Sequence, residues 1–264
     1  MKLTSHNRRR AVSAASAFTM VEVALSLAII AFAIVAIIGI LPTGMQVQRD
    51  NREETIVNQD GQFILEVLKN GLTNVTLLAQ NFEWIESYTN IPNTANIALE
   101  GRMERQDMLN GTIATNVVAY RIAGLLSTPR FVANSAVPGG YVSNWVRAKF
   151  VSNSGPLADR LTEAPGTGAR DFSFGYLVTV DIAPVVLSTT SSNYLGYAYA
   201  TNLQDNLYNL RVNLSWPVYS TNIFSPTSVG NGRKSFHSLV SGRLARDGNG
   251  FYQFRPNEYN GLQP

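Results

Sequence analysis

The sequence predicts an α+β protein in which one long N-terminal helix precedes an antiparallel β-sheet domain. Three observations support this fold class. Residues 18–41 form an almost entirely apolar run, residues 42–71 continue with an amphipathic helical pattern, and residues 72–264 contain short segments in which apolar and polar side chains alternate. We expect the first half of the helix to span a membrane and the second half to pack on the sheet.

The composition excludes several classes of protein. Of the 264 residues, 45% are hydrophobic, which is too many for a disordered chain, and there is no cysteine for disulfides, thiolate catalysis or cysteine metal sites. The net charge is +3, but four of the 21 basic residues lie in residues 1–17, leaving 17 basic against 18 acidic ones. A nucleic-acid-binding surface needs basic residues clustered on the folded part, so we expect no nucleic-acid partner.

The apolar run at residues 18–41 predicts a membrane-spanning helix. Its 24 residues extend roughly 36 Å as a helix, and the hydrocarbon core of a bilayer is about 30 Å thick. Arg8, Arg9 and Arg10 precede the run, which predicts a cytoplasmic N-terminus. A cleaved secretory signal has small residues after its apolar region, whereas Ala15-Ser16-Ala17 lie before it. We therefore expect the run to be retained.

The junction between leader and run resembles the prepilin signature. Residues 1–17 form a basic leader that ends in the small residue Ala17, and Phe-Thr-Met-Val-Glu at 18–22 opens the apolar run. This signature, which covers about 30 residues here, marks type IV pilins and the pseudopilins of type II secretion systems. In that family a prepilin peptidase cuts before the Phe and methylates the new amino group. The resemblance implies cleavage between Ala17 and Phe18 and methylation of Phe18, although the family usually has Gly where this chain has Ala17.

Glu22 is the only charged residue in the run. An ionised carboxylate inside a bilayer is costly and usually has a partner. In one interpretation Glu22 lies one turn into the helix and reaches the membrane interface, as flanking polar side chains do. In the other, which the resemblance implies, Glu22 is an assembly contact that pairs with the N-terminal amine of a neighbouring subunit and so offsets the desolvation. We expect the second.

Beyond the run, the chain predicts a second helical segment. Pro42 predicts an end or a kink of the apolar helix, and Asn70-Gly71 predicts the end of the amphipathic one. An apolar stripe with helical spacing lies between them, and it consists of Ile56, Val57, Phe63, Ile64, Val67 and Leu68.

Past residue 71 we expect a periplasmic β-rich domain. Alternation of apolar and polar residues predicts strands at 112–122, 141–151, 174–182, 207–218 and 233–245. We expect the last two of these strands to pair as a hairpin with a long loop. Long polar segments between these strands predict loops at 152–171, 188–205 and 220–232. Loops of this length either contact partners or are tolerated insertions.

The sequence contains no recognisable set of catalytic or metal-binding residues. His6 falls in the leader, so His237 is the single histidine of the mature chain, and in a predicted strand we interpret it as a structural or surface residue. No G-x-S-x-G elbow, H-E-x-x-H, P-loop or dinucleotide fingerprint occurs. Asp247-Gly-Asn-Gly250 offers oxygens for calcium, as in some major pseudopilins, but lacks the EF-hand pattern, and we interpret it as a polar turn. We predict no enzyme activity, cofactor or metal site.

The resemblance implies a pilin-like (pseudopilin) structural subunit of a type IV pilus or type II secretion-like filament, somewhat similar to Verru_Chthon cassette pseudopilin-like proteins. The implied partners are other pilin-like subunits, the prepilin peptidase, an inner-membrane assembly platform and motor, and the lipid bilayer. The chain would be a single-pass inner-membrane protein with a periplasmic C-terminal domain. The alternative is a membrane-anchored binding module whose β-rich domain holds a ligand.

Overall fold

A computed structural model of the chain divides into two compact units, residues up to Arg52 and residues from Glu53 onwards. The boundary between the units lies within one helix, α1 (Met20–Lys69). The structure describes residues 18–71, 75–90, 98–105, 115–134, 140–151, 174–186, 197–219 and 229–261.

Helix α1 confirms the prediction of a long N-terminal helix. It is 50 residues long and contains Pro42 in its interior, so of the two outcomes predicted at Pro42, an end or a kink, the end does not occur. Proline removes one backbone hydrogen bond, which typically costs about 3 kcal/mol, yet the helix continues on both sides of Pro42. All residues from 18 to 52 are exposed, and the most apolar window of α1 has a mean hydropathy of 3.0. By length and composition the helix is sufficient to cross a membrane, as an anchor or a signal sequence does.

In the described part of the second unit, the rest of α1 is followed by three shorter helices and two sheets. The helices are α2 (Thr76–Asn81), α3 (Thr115–Leu126) and α4 (Tyr197–Asn206). The strands of the main sheet are β1 (Phe82–Asn90), β2 (Ala98–Glu104), β3 (Phe131–Asn134), β4 (Gly140–Val151), β5 (Gly175–Pro184), β6 (Leu207–Val218) and β7 (Val229–Ser241). A two-stranded sheet follows, formed by β8 (Arg243–Arg246) and β9 (Tyr252–Arg255).

Every strand pair in the main sheet is antiparallel. The strand order is β2-β1-β4-β5-β6-β7, and the short strand β3 pairs with the first residues of β4. The fold class predicted from the sequence is confirmed: the second part of a long helix packs on an antiparallel sheet.

The predicted apolar stripe of α1 forms part of the core. Of its residues, Ile56, Val57, Ile64, Val67 and Leu68 are buried, and Phe63 is partly buried against them. Gly61 lies on the same side, where a side chain would collide with the ring of Phe236 on β7, so α1 and the sheet approach closely there. The helix ends at Lys69 and Gly71 has a φ of +62°, which is the helix stop predicted from Asn70-Gly71.

The strand predictions at 141–151, 174–182 and 207–218 are confirmed by β4, β5 and β6. In β6, Leu210, Val212, Leu214 and Trp216 are buried on one face, as their alternation predicts. The predicted hairpin with 233–245 is also confirmed, because β6 pairs with β7. However, β7 begins at Val229, inside the predicted loop 220–232, and ends at Ser241 before Gly242, which has a φ of +127°.

Two predictions of local structure are wrong. The predicted strand 112–122 is wrong from Thr115 onwards, where the residues belong to α3. Its buried residues are spaced as on one face of a helix, namely Val118, Ala119, Ile122, Ala123 and Leu126. The predicted loop 188–205 contains most of helix α4. The predicted loop 152–171 lies outside the described residues.

A polar pair lies between α1 and the sheet. The Tyr176 hydroxyl on β5 donates a hydrogen bond of 2.9 Å to Asp60 Oδ2 on α1. Burial raises the pKa of the Asp60 carboxyl above its usual 3.8, and the hydrogen bond from Tyr176 opposes this rise. Burial also raises the pKa of Tyr176 well above 10.0, and the charge of Asp60 adds to that rise. Both groups therefore hold protons in the folded state more tightly than in the unfolded chain.

We expect Asp60 to make the free energy of unfolding depend on pH in the acid range. Because its folded-state pKa is raised, its contribution is fully present below pH 3.8 and is lost as the pH rises through the folded-state pKa. Asp60→Asn removes this titration. Urea unfolding followed by tryptophan fluorescence should show wild type losing stability relative to Asp60→Asn as the pH rises. A difference that is constant or grows in favour of wild type would contradict the raised pKa.

Candidate assembly site at the start of the long helix

The candidate site lies where the extended chain enters α1. Phe18 is 81% exposed and Thr19 is the last residue before the helix, which begins at Met20. Glu22 is the acidic residue of the first helical turn. Thr19 therefore occupies the N-cap position and Glu22 the third position of the helix.

Thr19 and Glu22 bond to each other reciprocally. The backbone N–H of Glu22 donates to Thr19 Oγ1 at 3.3 Å, and the backbone N–H of Thr19 donates to Glu22 Oε2 at 3.2 Å. The Thr19 hydroxyl also donates to Glu22 Oε2 at 3.2 Å. This arrangement is a capping box, in which two side chains satisfy backbone donors that the first turn of a helix leaves without partners.

The capping box uses only one of the two oxygens of the Glu22 carboxylate. Both bonds from Thr19 end on Oε2, and Oε1 accepts no hydrogen bond from any described residue. One turn further on, the Ser26 hydroxyl donates to the Glu22 backbone carbonyl at 2.7 Å, so Ser26 bonds inside its own helix. The site thus combines a closed helix start with an exposed carboxylate oxygen.

Thr19 was not among the residues predicted to form this site. The signal was available, because a Thr followed three residues later by a Glu at the head of an apolar run is the sequence pattern of a capping box. Phe18 and Glu22 lie within one turn of each other at the helix start. Ala17 and the leader charges Arg8, Arg9 and Arg10 lie outside the described residues. Cleavage, methylation and the pairing of Glu22 with a neighbouring amine stay predictions.

The chain matches no known family. Compared with protein families, curated proteins and solved structures, it gives no match. The interpretation of the site therefore depends on its own residues and on the fold that follows them.

The other two candidate residues lie in the second unit. His237 is exposed on β7 opposite Arg211 of β6. Asp247 begins the turn between β8 and β9, which confirms the predicted polar turn, and its Oδ1 accepts the backbone N–H groups of Asn249 at 2.9 Å and Phe251 at 2.7 Å. In the described part of the chain, no three His, Cys, Asp or Glu side chains lie close enough together to hold a metal ion.

We expect Thr19→Ala to loosen the start of α1. Loss of an N-cap side chain typically costs about 1 kcal/mol of helix stability, which is about fivefold in an opening equilibrium. In the full-length chain in detergent, amide hydrogen exchange at residues 20–23 should become about fivefold faster. Thr19→Ser keeps the hydroxyl and should exchange as wild type does. Unchanged exchange in Thr19→Ala would show that the cap does not stabilise the helix start.

Proposed function

We propose that the chain is a pilin-like (pseudopilin) structural subunit that assembles through its N-terminal helix into a type IV pilus or a type II secretion-like filament. A prepilin peptidase would remove residues 1–17 and methylate Phe18. The subunit would sit in the inner membrane with its β-rich domain in the periplasm, until an assembly platform and motor add it to the filament. Its role in this proposal is structural rather than enzymatic.

One observation carries the proposal. A single helix, α1, is apolar and exposed all round in its first part and then becomes a one-sided apolar stripe buried against an antiparallel sheet. An exposed apolar surface of this length needs either lipid or other helices around it. In a subunit that moves from a bilayer into a helical bundle, the same residues are covered first by lipid and then by neighbouring helices.

The geometry of Glu22 supports an assembly role without disturbing the helix start. The capping box uses Oε2, and it needs only Thr19 and Glu22, both of which remain after a cut before Phe18. Oε1 is then left to accept a hydrogen bond from the N-terminal amine of an adjacent subunit. A charge-assisted bond of this kind is stronger than a neutral one and would set the axial register between subunits.

A membrane-anchored binding module is the second candidate. The observation in its favour is the capping box itself, because it provides a purpose for Glu22 within a single chain. In that function the helix would only tether the β-rich domain. The two candidates differ in what they require of the carboxylate charge and of the leader.

We expect Glu22→Gln to separate the two roles of Glu22. Glutamine serves in a capping box as glutamate does, so the helix start and membrane insertion should be retained. It lacks the negative charge that would pair with a neighbouring amine, a loss worth roughly tenfold or more. In the native host, membrane fractionation should find normal amounts of the variant. Cross-linked subunits and sheared filaments should contain roughly tenfold less of it.

Thr19→Ala is the matched control for that experiment, because it removes the cap and keeps the charge. The assembly proposal expects Thr19→Ala to assemble better than Glu22→Gln. Equal incorporation of Glu22→Gln and wild type would contradict an assembly role for the charge, and would favour the tethered module.

Processing provides an independent prediction. Mass spectrometry of the mature chain should find an N-terminus at Phe18 that carries one methyl group. Ala17→Gly, which supplies the residue usual in the family, should increase the processed fraction, and Ala17→Leu should decrease it, because a bulky side chain stands at the cut. An intact leader in a host that has the peptidase would contradict the proposed function.

A further inference from the structure

The second unit contains a cleft that the proposed function does not use. It has a volume of about 500 Å³ and lies between one end of the main sheet, helix α3 and the turn that joins β8 to β9. Phe251 of that turn lies directly against α3, where a side chain at Gly124 would meet Phe251 Cβ at 2.6 Å. The cleft is thus a product of packing between three separate elements. Its volume falls in the range of roughly 300–1,000 Å³ that is usual for small-molecule sites.

Two arginines without carboxylate partners line the cleft. Arg121 lies on α3, and Arg246 lies at the end of β8. Arg246 Nε donates to the carbonyl of Gly250 at 2.8 Å, and its guanidinium lies 5.7 Å from the ring centroid of Tyr252. Neither arginine forms a salt bridge with any residue that the structure describes. A third arginine, Arg102, is paired with Glu86 and Glu104 and contributes little uncompensated charge.

The described lining contains no acidic residue. Two positive side chains that line one cleft repel each other, although solvent screens this repulsion because Arg121 is half-buried and Arg246 is exposed. An anion in the cleft would relieve it, and the planar guanidinium group matches a carboxylate or phosphate with two parallel hydrogen bonds.

The rest of the lining is mixed. Hydroxyl groups come from several residues, among them Ser87 of β1 and Thr128, which follows α3. Apolar walls come from side chains that are only partly buried, among them Met103, Leu125 and Phe251. Apolar surface of this kind favours a ligand that removes it from water. Arginines alone would suit a bare inorganic ion, but the apolar walls favour a ligand with an apolar body.

We propose that this cleft binds a small organic anion with an apolar body, and that Arg121 and Arg246 hold its charged group. The apolar body lies against Leu125 and Phe251. The site belongs to the β-rich domain alone, so it does not depend on filament assembly or on Glu22.

The test uses the full-length chain in detergent and three probes with matched shape: 4-phenylbutyrate, 4-phenylbutylamine and 4-phenylbutanol. Isothermal titration should show saturable binding of the carboxylate, and the alcohol and the amine should bind at least about tenfold more weakly, because each lacks the charge that two arginines require. Inorganic phosphate is a fourth probe and should bind more weakly than the carboxylate, because it has no apolar body.

Variants locate the site. Arg121→Gln should weaken 4-phenylbutyrate binding roughly tenfold. Arg233→Gln is the matched control, because it removes the same charge from an exposed position on β7 and should bind as wild type does. Equal weakening by both variants would overturn the proposal in favour of non-specific attraction. Equal binding of the amine and the carboxylate, or no saturable binding by wild type, would overturn it without recourse to any variant.

Discussion

The burial of one stripe of α1 against the sheet is the interaction on which the rest of the second unit depends. Val57, Ile64 and Leu68 are each nearly or fully buried among residues from α3 and from the central strands. Burial of an aliphatic side chain of this size contributes roughly 1.5–3 kcal/mol as an upper estimate. The stripe must also fit closely, since at Gly61 the helix leaves no room for a side chain beside Phe236.

Asp60 shows how this interface constrains polar residues. It neighbours Gly61 in the chain, and burial disfavours its charged form. The Tyr176 hydroxyl supplies a hydrogen bond that offsets part of this cost. A second polar contact of this part of α1 is less buried. Lys234 Nζ on β7 lies 3.0 Å from Glu54 Oε1, and both side chains remain substantially exposed. Surface pairs of that kind contribute little to stability.

The first unit follows a different constraint. Residues 18–52 are all exposed, and in the proposed function their apolar surface is covered by lipid or by other helices. Glu22, the only carboxylate of the apolar residues 18–41, closes the helix start with one oxygen and leaves the other accessible. A membrane helix that only anchors a domain needs the first of these features. An assembling subunit needs both.

The sequence by itself determined the long helix, its apolar and amphipathic parts, its stop at Asn70-Gly71, and the strands β4 to β7. In the amphipathic part of α1 and in β5 and β6, the local spacing of apolar residues matches one buried face, as Leu210, Val212 and Leu214 show on β6. The apolar part of α1 was predicted instead from its length and composition. The strand β1 was not predicted. In β1, the consecutive residues Trp84, Ile85 and Glu86 are all buried, so apolar and polar residues do not alternate along this strand. The fully buried Glu86 carboxylate accepts hydrogen bonds from Arg147 Nε at 2.9 Å and from the Tyr88 hydroxyl at 2.7 Å. Only the tertiary structure decided which distant residues meet: Glu86 with Arg147, Asp60 with Tyr176, and Arg121 and Arg246 in the lining of one cleft. The reason is that no local sequence pattern records which distant residues lie on the same face once the sheet is formed.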